Sequence, residues 1–342
     1  MMKTTQRISG FSLFAGLVLM FLHTGNACCS KYVKIATIGA PAVQLDLGQE
    51  PQALVDQVIE FWGYELSRVL PDKPDLIVLP EACDRPSGMN TELQFRYFKA
   101  RGDQILDYLK TVAKDNKCYI AFGTKHQVAD GTWRNSCILL DRQGEVGGIY
   151  NKNFPTIGEM EAGIKAGKEA PVFQCDFGRV ACAICFDLNF DELRLRYAEQ
   201  KPDIIVFPSM YHGGLVQQHW AYTCRSYFVS AIAIASLRSE IRNPMGKIVG
   251  TSTNYFHTAV ATINLDYCLA HLDFNWAKLR ALKEKYGEDV TISDPGEIGS
   301  VLLTSEHETI GIHEMVKEFE ITLLDEYLED SRAFRHKPGM LE

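Results

Sequence analysis

Asp75-Leu-Ile-Val-Leu-Pro80 is a short apolar run that opens on an acid and stops at proline, and Asp203-Ile-Ile-Val-Phe-Pro208 repeats it. Runs this short, apolar throughout and closed by proline, read as strands buried on both faces. Proline ends them because it has no N–H to give a ladder. Before the first run, residues 31–38 alternate as a strand, and residues 51–69 carry helical spacing through Leu54, Val58, Phe61 and Leu66. After it come a helical pattern over 91–114 and a strand over 118–122. Two hairpin patterns follow, 135–141 with 146–151 and 172–175 with 180–185. The second run sits between helical patterns at 190–200 and 215–228. Strands are expected over 229–237, 247–251 and 257–265, a helix over 276–285, and a weakly patterned acidic stretch from 286. Strands alternating with helices, with hairpins mixed in, predict an α/β fold with mixed sheets.

The chain has 342 residues, 46% apolar and 23% charged, an ordinary globular composition. Its 35 Lys and Arg against 43 Asp and Glu leave a net charge of −8. With no basic run to neutralise phosphates, nucleic-acid binding is excluded as an expectation, and small neutral or cationic substrates stay open. Lys3 and Arg7 precede an apolar run from Ile8 to Leu22, followed by Gly25-Asn26-Ala27. That is the pattern of a secretory signal. The run is shorter than the roughly 20 apolar residues of a membrane span. Residues 1–27 therefore read as a cleaved signal peptide, and the mature protein as exported, periplasmic or extracellular. Cys28 follows directly, so a lipid anchor there is open, although Gly25 and Asn26 depart from the usual lipoprotein pattern.

Export permits disulfides among the ten cysteines. Most sit in or beside apolar runs and read as small core residues. Cys182 and Cys185 form a CxxC, but in a strand i and i+3 face opposite ways, which argues against a redox pair. His212 and His219 lack any zinc-ligand spacing, so no metal is expected. The Gly pairs 147–148 and 213–214 lack the rest of a phosphate-binding fingerprint.

Three reactive residues share one placement. Glu81 follows the strand at 75–80, Lys152 follows that at 146–151, and Cys185 closes that at 180–185. In α/β sheets the carboxyl ends of strands are where sites are built. Singly, each has an ordinary reading as a loop carboxylate, a solvated lysine and a buried thiol. The surrounding stretches are Leu79-Pro-Glu81, Tyr150-Asn-Lys152-Asn-Phe-Pro-Thr-Ile-Gly-Glu159 and Cys185-Phe-Asp-Leu-Asn-Phe-Asp-Glu192. Together, in this order, they resemble the nitrilase superfamily of carbon–nitrogen hydrolases, in its amidase-like branch. The resemblance spans about residues 33–268, continuing through Asp203–Ser209, His219-Trp220 and Asn243-Pro-Met-Gly246.

No low-complexity linker breaks residues 31–285, so the chain reads as one hydrolase domain over 28–285 with a C-terminal extension over 286–342, and the resemblance implies a four-layer αββα sandwich. It also implies a homodimer or higher homo-oligomer, no cofactor, and a small-molecule amide as substrate. Glu81, Lys152 and Cys185 map onto its triad, and Glu159 onto its second glutamate, with Glu161 the other candidate. The backbone N–H of Phe186 would join Lys152 in holding an oxyanion. Physical chemistry agrees with these roles, since the thiolate is the nucleophile and a neighbouring ammonium favours it. Tyr211, Met210 and Asn189 are candidates to line the substrate pocket, whereas Trp220 reads as core. True nitrilases usually carry Trp-Glu after the cysteine, where this chain has Phe186-Asp187. Amino-acid carbamoylases often place arginines where it has Leu188 and Asn189. These departures favour an amidase over a nitrilase or N-carbamoyl hydrolase. An inactive exported binding protein is the reading from another class, and the intact set of three argues against it.

Overall fold

The computed structural model describes residues 31–342. The expected signal segment and Cys28 lie outside the described residues. The chain runs β1 (Tyr32–Ile38), α1 (Pro51–Ser67), β2 (Leu76–Val78), α2 (Thr91–Arg101), α3 (Gln104–Asn116), β3 (Tyr119–Gln127), β4 (Trp133–Leu140) and β5 (Val146–Asn151). It continues through α4 (Ile157–Glu161), β6 (Val172–Gln174), β7 (Arg179–Cys182), α5 (Asp191–Gln200), β8 (Ile204–Ser209), α6 (Leu215–Cys224), β9 (Tyr227–Ile232), β10 (Glu240–Arg242), β11 (Ile248–Thr251) and β12 (Thr258–Asn264).

These strands make two six-stranded sheets, ordered β12-β1-β2-β3-β4-β5 and β11-β10-β9-β8-β7-β6. Each has a parallel centre, β1-β2-β3 in one and β7-β8-β9 in the other, with antiparallel strands on both flanks. The two apolar runs that stop at proline are β2 and β8, one in each centre. The period of two along β1 separates the layers. Val33 and Ile35 join the core between the sheets, and Ala36 and Ile38 join the core under α1, α2 and α3. On the far side Leu193, Tyr197 and Trp220 of α5 and α6 pack on the second sheet. The layers are therefore αββα, the fold expected. Trp220 is core, 1% exposed.

Four local expectations are corrected. The helical pattern over 91–114 is two helices, broken where Gly102 takes φ +47. The strand expected over 180–185 stops at Cys182, so Cys185 lies in the turn beyond it. The helix after Leu215 ends at Cys224 because Arg225 turns left-handed at φ +57. That releases residues 227–232 to pair with β8, so the strand expected over 229–237 is shifted toward the N-terminus.

The residues past 286 are ordered. With β13 (Tyr267–His271), α7 (Trp276–Tyr286), β14 (Val290–Ser293), β15 (Ser300–Ser305), α8 (Ile312–Glu318) and α9 (Leu324–Arg335) they build a second unit. Its three-stranded sheet runs β13-β15-β14, and Ala270, Leu282, Leu303 and Met315 fill its core. Polar contacts tie it to the sandwich. Asp325 lies 2.7 Å from Lys201 and 3.1 Å from Arg225, and Lys31 Nζ donates to His307 O at 2.8 Å.

Candidate active site

The inner face of the first sheet carries the charged wall of the site. Past β2 the chain lies against β3, with Gly123 N donating to Pro80 O at 3.1 Å and Cys83 N to Gly123 O at 3.1 Å. A Cβ on Gly123 would meet Glu81 Cα at 2.5 Å, so only glycine lets the backbone come this close. Ala82 then turns left-handed at φ +49 and leaves Glu81 buried at the sheet's end. Lys152 follows β5 and is 1% exposed. Its Nζ donates to Glu81 Oε1 at 2.9 Å and to Glu159 Oε2 at 2.8 Å. Glu159 is fixed by a capping box on α4, taking a hydrogen bond from Thr156 N at 2.9 Å, whereas Glu161 is exposed.

Asn135 completes this wall, and sequence reasoning missed it. It precedes Ser136 on β4, and its carbonyl takes the N–H of Lys152 at 2.8 Å. Its Nδ2 donates to Glu81 Oε1 at 2.7 Å and to Glu159 Oε1 at 2.6 Å, and its buried Oδ1 has no partner. The available signal was a lone amide at the open end of an apolar hairpin strand, facing the lysine across it.

The second sheet supplies the nucleophile. Cys185 sits at φ +46, a region a non-glycine residue rarely adopts. Asp187 holds that turn. Fully buried, it accepts hydrogen bonds from Ile184 N at 2.9 Å, Tyr150 Oη at 2.7 Å and Phe154 N at 2.8 Å. The Cys185 thiol faces the Glu81 carboxylate and takes a hydrogen bond from the Met210 backbone. Cys182 and Cys185 are both free thiols.

The electrostatics follow from one ammonium among two carboxylates. Burial disfavours the charge on Lys152, but Glu81 and Glu159 outweigh it and raise its pKa. Burial likewise opposes ionised Glu159, and Lys152 outweighs that, so its pKa falls. For Cys185, burial and then the Glu81 carboxylate push the thiol up to about 12, against the pull of Lys152. Lys152 pulls the thiol toward the thiolate, as expected, but the ammonium is shared by two carboxylates, and burial with Glu81 outweighs its pull. Asp187, buried but taking three hydrogen bonds, is raised to about 6.

The other expected residues contact one another along the turn that carries the thiol. Asn189 Nδ2 donates to Tyr211 Oη at 3.1 Å and to Phe186 O at 3.0 Å. The Phe186 ring is partly exposed and meets Phe190 edge-on, which stacks on Phe154 at 3.9 Å. Trp220 Nε1 donates to Leu188 O at 3.0 Å, supporting the turn from beneath.

Comparison with known proteins points one way. Residues 34–270 match the model of the carbon–nitrogen hydrolase family. Nit3 of Saccharomyces cerevisiae, a member of branch 10 of the nitrilase superfamily, superposes at a TM-score of 0.58 with 18% identity, over 69% of this chain and 91% of that one. An amidase from Nesterenkonia sp. superposes at 0.58 with 17% identity, over 68% of this chain and 90% of that one. In sequence, a hydrolase of Schizosaccharomyces pombe is 22% identical over 52% of this chain and 62% of its own length. The human omega-amidase NIT2 is 22% identical over 61% of this chain and 80% of its own. The match thus spans less than two thirds of the Schizosaccharomyces hydrolase.

Proposed function

Because this chain belongs to the carbon–nitrogen hydrolase family of the nitrilase superfamily, we propose that it hydrolyses a small linear amide through a thioester on Cys185. One observation carries the reading. An ammonium is clamped between two carboxylates, and one of those carboxylates faces the thiol.

Cys185 Sγ attacks the amide carbon as its proton passes to Glu81, which answers the raised thiol pKa by moving proton and sulfur together. Lys152 has three N–H donors, and two are engaged by Glu81 and Glu159. The third, with the backbone N–H of Phe186, receives the oxyanion. The tetrahedral species collapses as Glu81 returns the proton to the leaving nitrogen, so ammonia departs and the thioester remains. Glu81 then takes a proton from water, whose oxygen attacks the thioester. Collapse releases the carboxylic acid and restores the thiol. Glu159 and Asn135 keep Lys152 and Glu81 in place, and Tyr211, Asn189 and Met210 line the approach to sulfur. Of the relatives' names, amidase and omega-amidase support this choice of bond. We place the reaction outside the cytoplasm, on the strength of the Lys3 to Ala27 pattern.

The test is intact-mass spectrometry of the purified mature protein with a panel of amides, nitriles and carbamoyl compounds, beside Cys185→Ala. An adduct that requires Cys185 is expected, its mass giving the acyl group and the chain's first residue. No adduct and no product with any compound would sink the hydrolase reading and favour a binding protein.

A further inference from the structure

The strands β7 and β8 run parallel side by side, with Cys182 opposite Val206. Past the end of β7 the two chains stay together, since Ala183 N donates to Val206 O at 3.0 Å. The turn that holds Cys185 therefore lies beside the segment Ser209-Met210-Tyr211 at the end of β8. The two segments are fastened to each other. Asn189 Nδ2 reaches Tyr211 Oη at 3.1 Å. Gly213 lies so close to Leu188 that a Cβ there would meet its Cδ2 at 2.3 Å.

Ser209 decides where the next amide points. In its sheet β8 stands between β9 and β7. The carbonyl of Ser209 takes the N–H of Ala233, the residue after β9, at 2.9 Å. A trans peptide is planar, with its C=O and N–H directed opposite ways. A carbonyl turned toward β9 therefore turns the N–H of Met210 toward β7, where the Cys185 sulfur accepts it. The Ser209 side chain closes the other side of Met210. Fully buried, its Oγ donates to Tyr211 O at 2.7 Å and accepts from Tyr211 N at 3.0 Å. One hydroxyl thus holds both backbone groups of Tyr211, and Met210 is fixed between two anchored neighbours.

We propose that Ser209 is a positioning residue that keeps the Met210 N–H on the Cys185 sulfur while charge builds there. The timing rests on the hydrolase reading, and the contact itself needs no turnover. Charge reaches sulfur twice. It builds as the thiol proton leaves for Glu81 during attack, and again as the C–S bond of the thioester breaks and its electron pair goes to sulfur. Lys152 is shared by two carboxylates, which leaves the amide as the donor committed to sulfur. A hydrogen bond to an ionised acceptor is about twice as strong as a neutral one, so this contact tightens as the charge forms.

The test reads the sulfur directly. Rates of iodoacetamide labelling at Cys185, followed by peptide mass at pH 9, are compared in the wild type, Ser209→Ala, Ser209→Thr and Glu81→Gln. Ser209→Ala should slow labelling about tenfold, the scale of one hydrogen bond to a charged group. That is the reverse of the acceleration expected of Glu81→Gln. Ser209→Thr keeps the hydroxyl and should restore most of the rate. An unchanged rate in Ser209→Ala, or a faster one from a merely loosened turn, overturns the role. If Ser209→Ala does not fold, the wild type still decides. With nitrogen-15 methionine as the only label, and Met210 assigned by its loss in Met210→Leu, the Met210 amide proton should move downfield as pH rises through the range where labelling climbs. Cys185→Ala should abolish that movement. A Met210 proton that stays in place, or moves equally in Cys185→Ala, overturns the proposal. Movement seen without any amide turnover supports the contact and sinks the hydrolase reading alone.

Discussion

The two walls of the site are built on different principles. The first-sheet wall works by charge. Lys152, Glu81, Glu159 and Asn135 satisfy one another, and removing any member strands a buried partner. The second-sheet wall works by shape. Cys185 is uncharged at rest and is presented by a left-handed turn pinned by Asp187. Each wall contains one left-handed residue, but in the first it is the spacer Ala82 and in the second it is the nucleophile itself. Stability and chemistry should therefore separate on one wall and fail together on the other.

The largest contrast comes from breaking each wall at its centre. Cys185→Ala should abolish turnover and change unfolding free energy by no more than about 1 kcal/mol, since it removes one partly buried atom. Lys152→Met should abolish turnover and also cost about 3–5 kcal/mol, because two buried carboxylates lose their cation. Urea unfolding beside activity decides it, and equal stability loss in both would erase the distinction.

A smaller effect is expected at the pin. Asp187→Asn should cost about 1–3 kcal/mol at neutral pH, with a fall in kcat, because an amide cannot accept from all three donors. The sign of its pH dependence is fixed by the raised pKa. The wild type keeps the contribution of protonated Asp187 below its unfolded value and loses it as pH rises through about 6. The stability gap between wild type and variant should thus narrow from pH 4 to 6 and be flat above. A gap that widens with pH would mean a carboxylate favoured by its hydrogen bonds.

The charged wall's influence on the thiol is measured by alkylation. Iodoacetamide labelling of Cys185 should still be climbing at pH 9, and Glu81→Gln should move the curve to lower pH, because burial and Glu81 both hold the proton on sulfur. A plateau by pH 7 would reveal a standing thiolate and reverse the proton order proposed above.

The smallest effect belongs to the spacer. Ala82→Gly relieves backbone strain of about 1 kcal/mol and adds unfolded-chain entropy of similar size, so unfolding free energy should move by less than about 1 kcal/mol. A loss beyond 2 kcal/mol in urea would show that the buried Cβ matters more than the turn.

What the sequence shows of this site follows the same division. Strand ends are visible because apolar runs and prolines mark them, and Glu81 and Lys152 lie just beyond β2 and β5. The layers are visible too, since β2 and β8 read as buried strands and the hairpins β4-β5 and β6-β7 announce antiparallel flanks. Cys185 was read as the end of a strand because Val180 to Cys185 is uniformly apolar, and hydrophobicity does not report a positive φ. Asn135 was passed over because its significance is a cross-strand register, which no local pattern contains. The unit beyond 286 was illegible for another reason. The stretch is acidic and weakly patterned, and its core is completed by β13 and α7 from before the apparent boundary.

Gly123 carries a consequence for anyone redirecting this protein by random mutagenesis. No codon change there yields a usable neighbour, because even alanine would press on Glu81 Cα and Pro80 O. Two residues along the same strand, the Lys125 ammonium has no hydrogen-bond or ion-pair partner among the described residues, and only its backbone is engaged. A library over β3 selected for folding alone should therefore recover invariant glycine two residues from a lysine that varies, an abrupt border between a frozen and a plastic position close to the base.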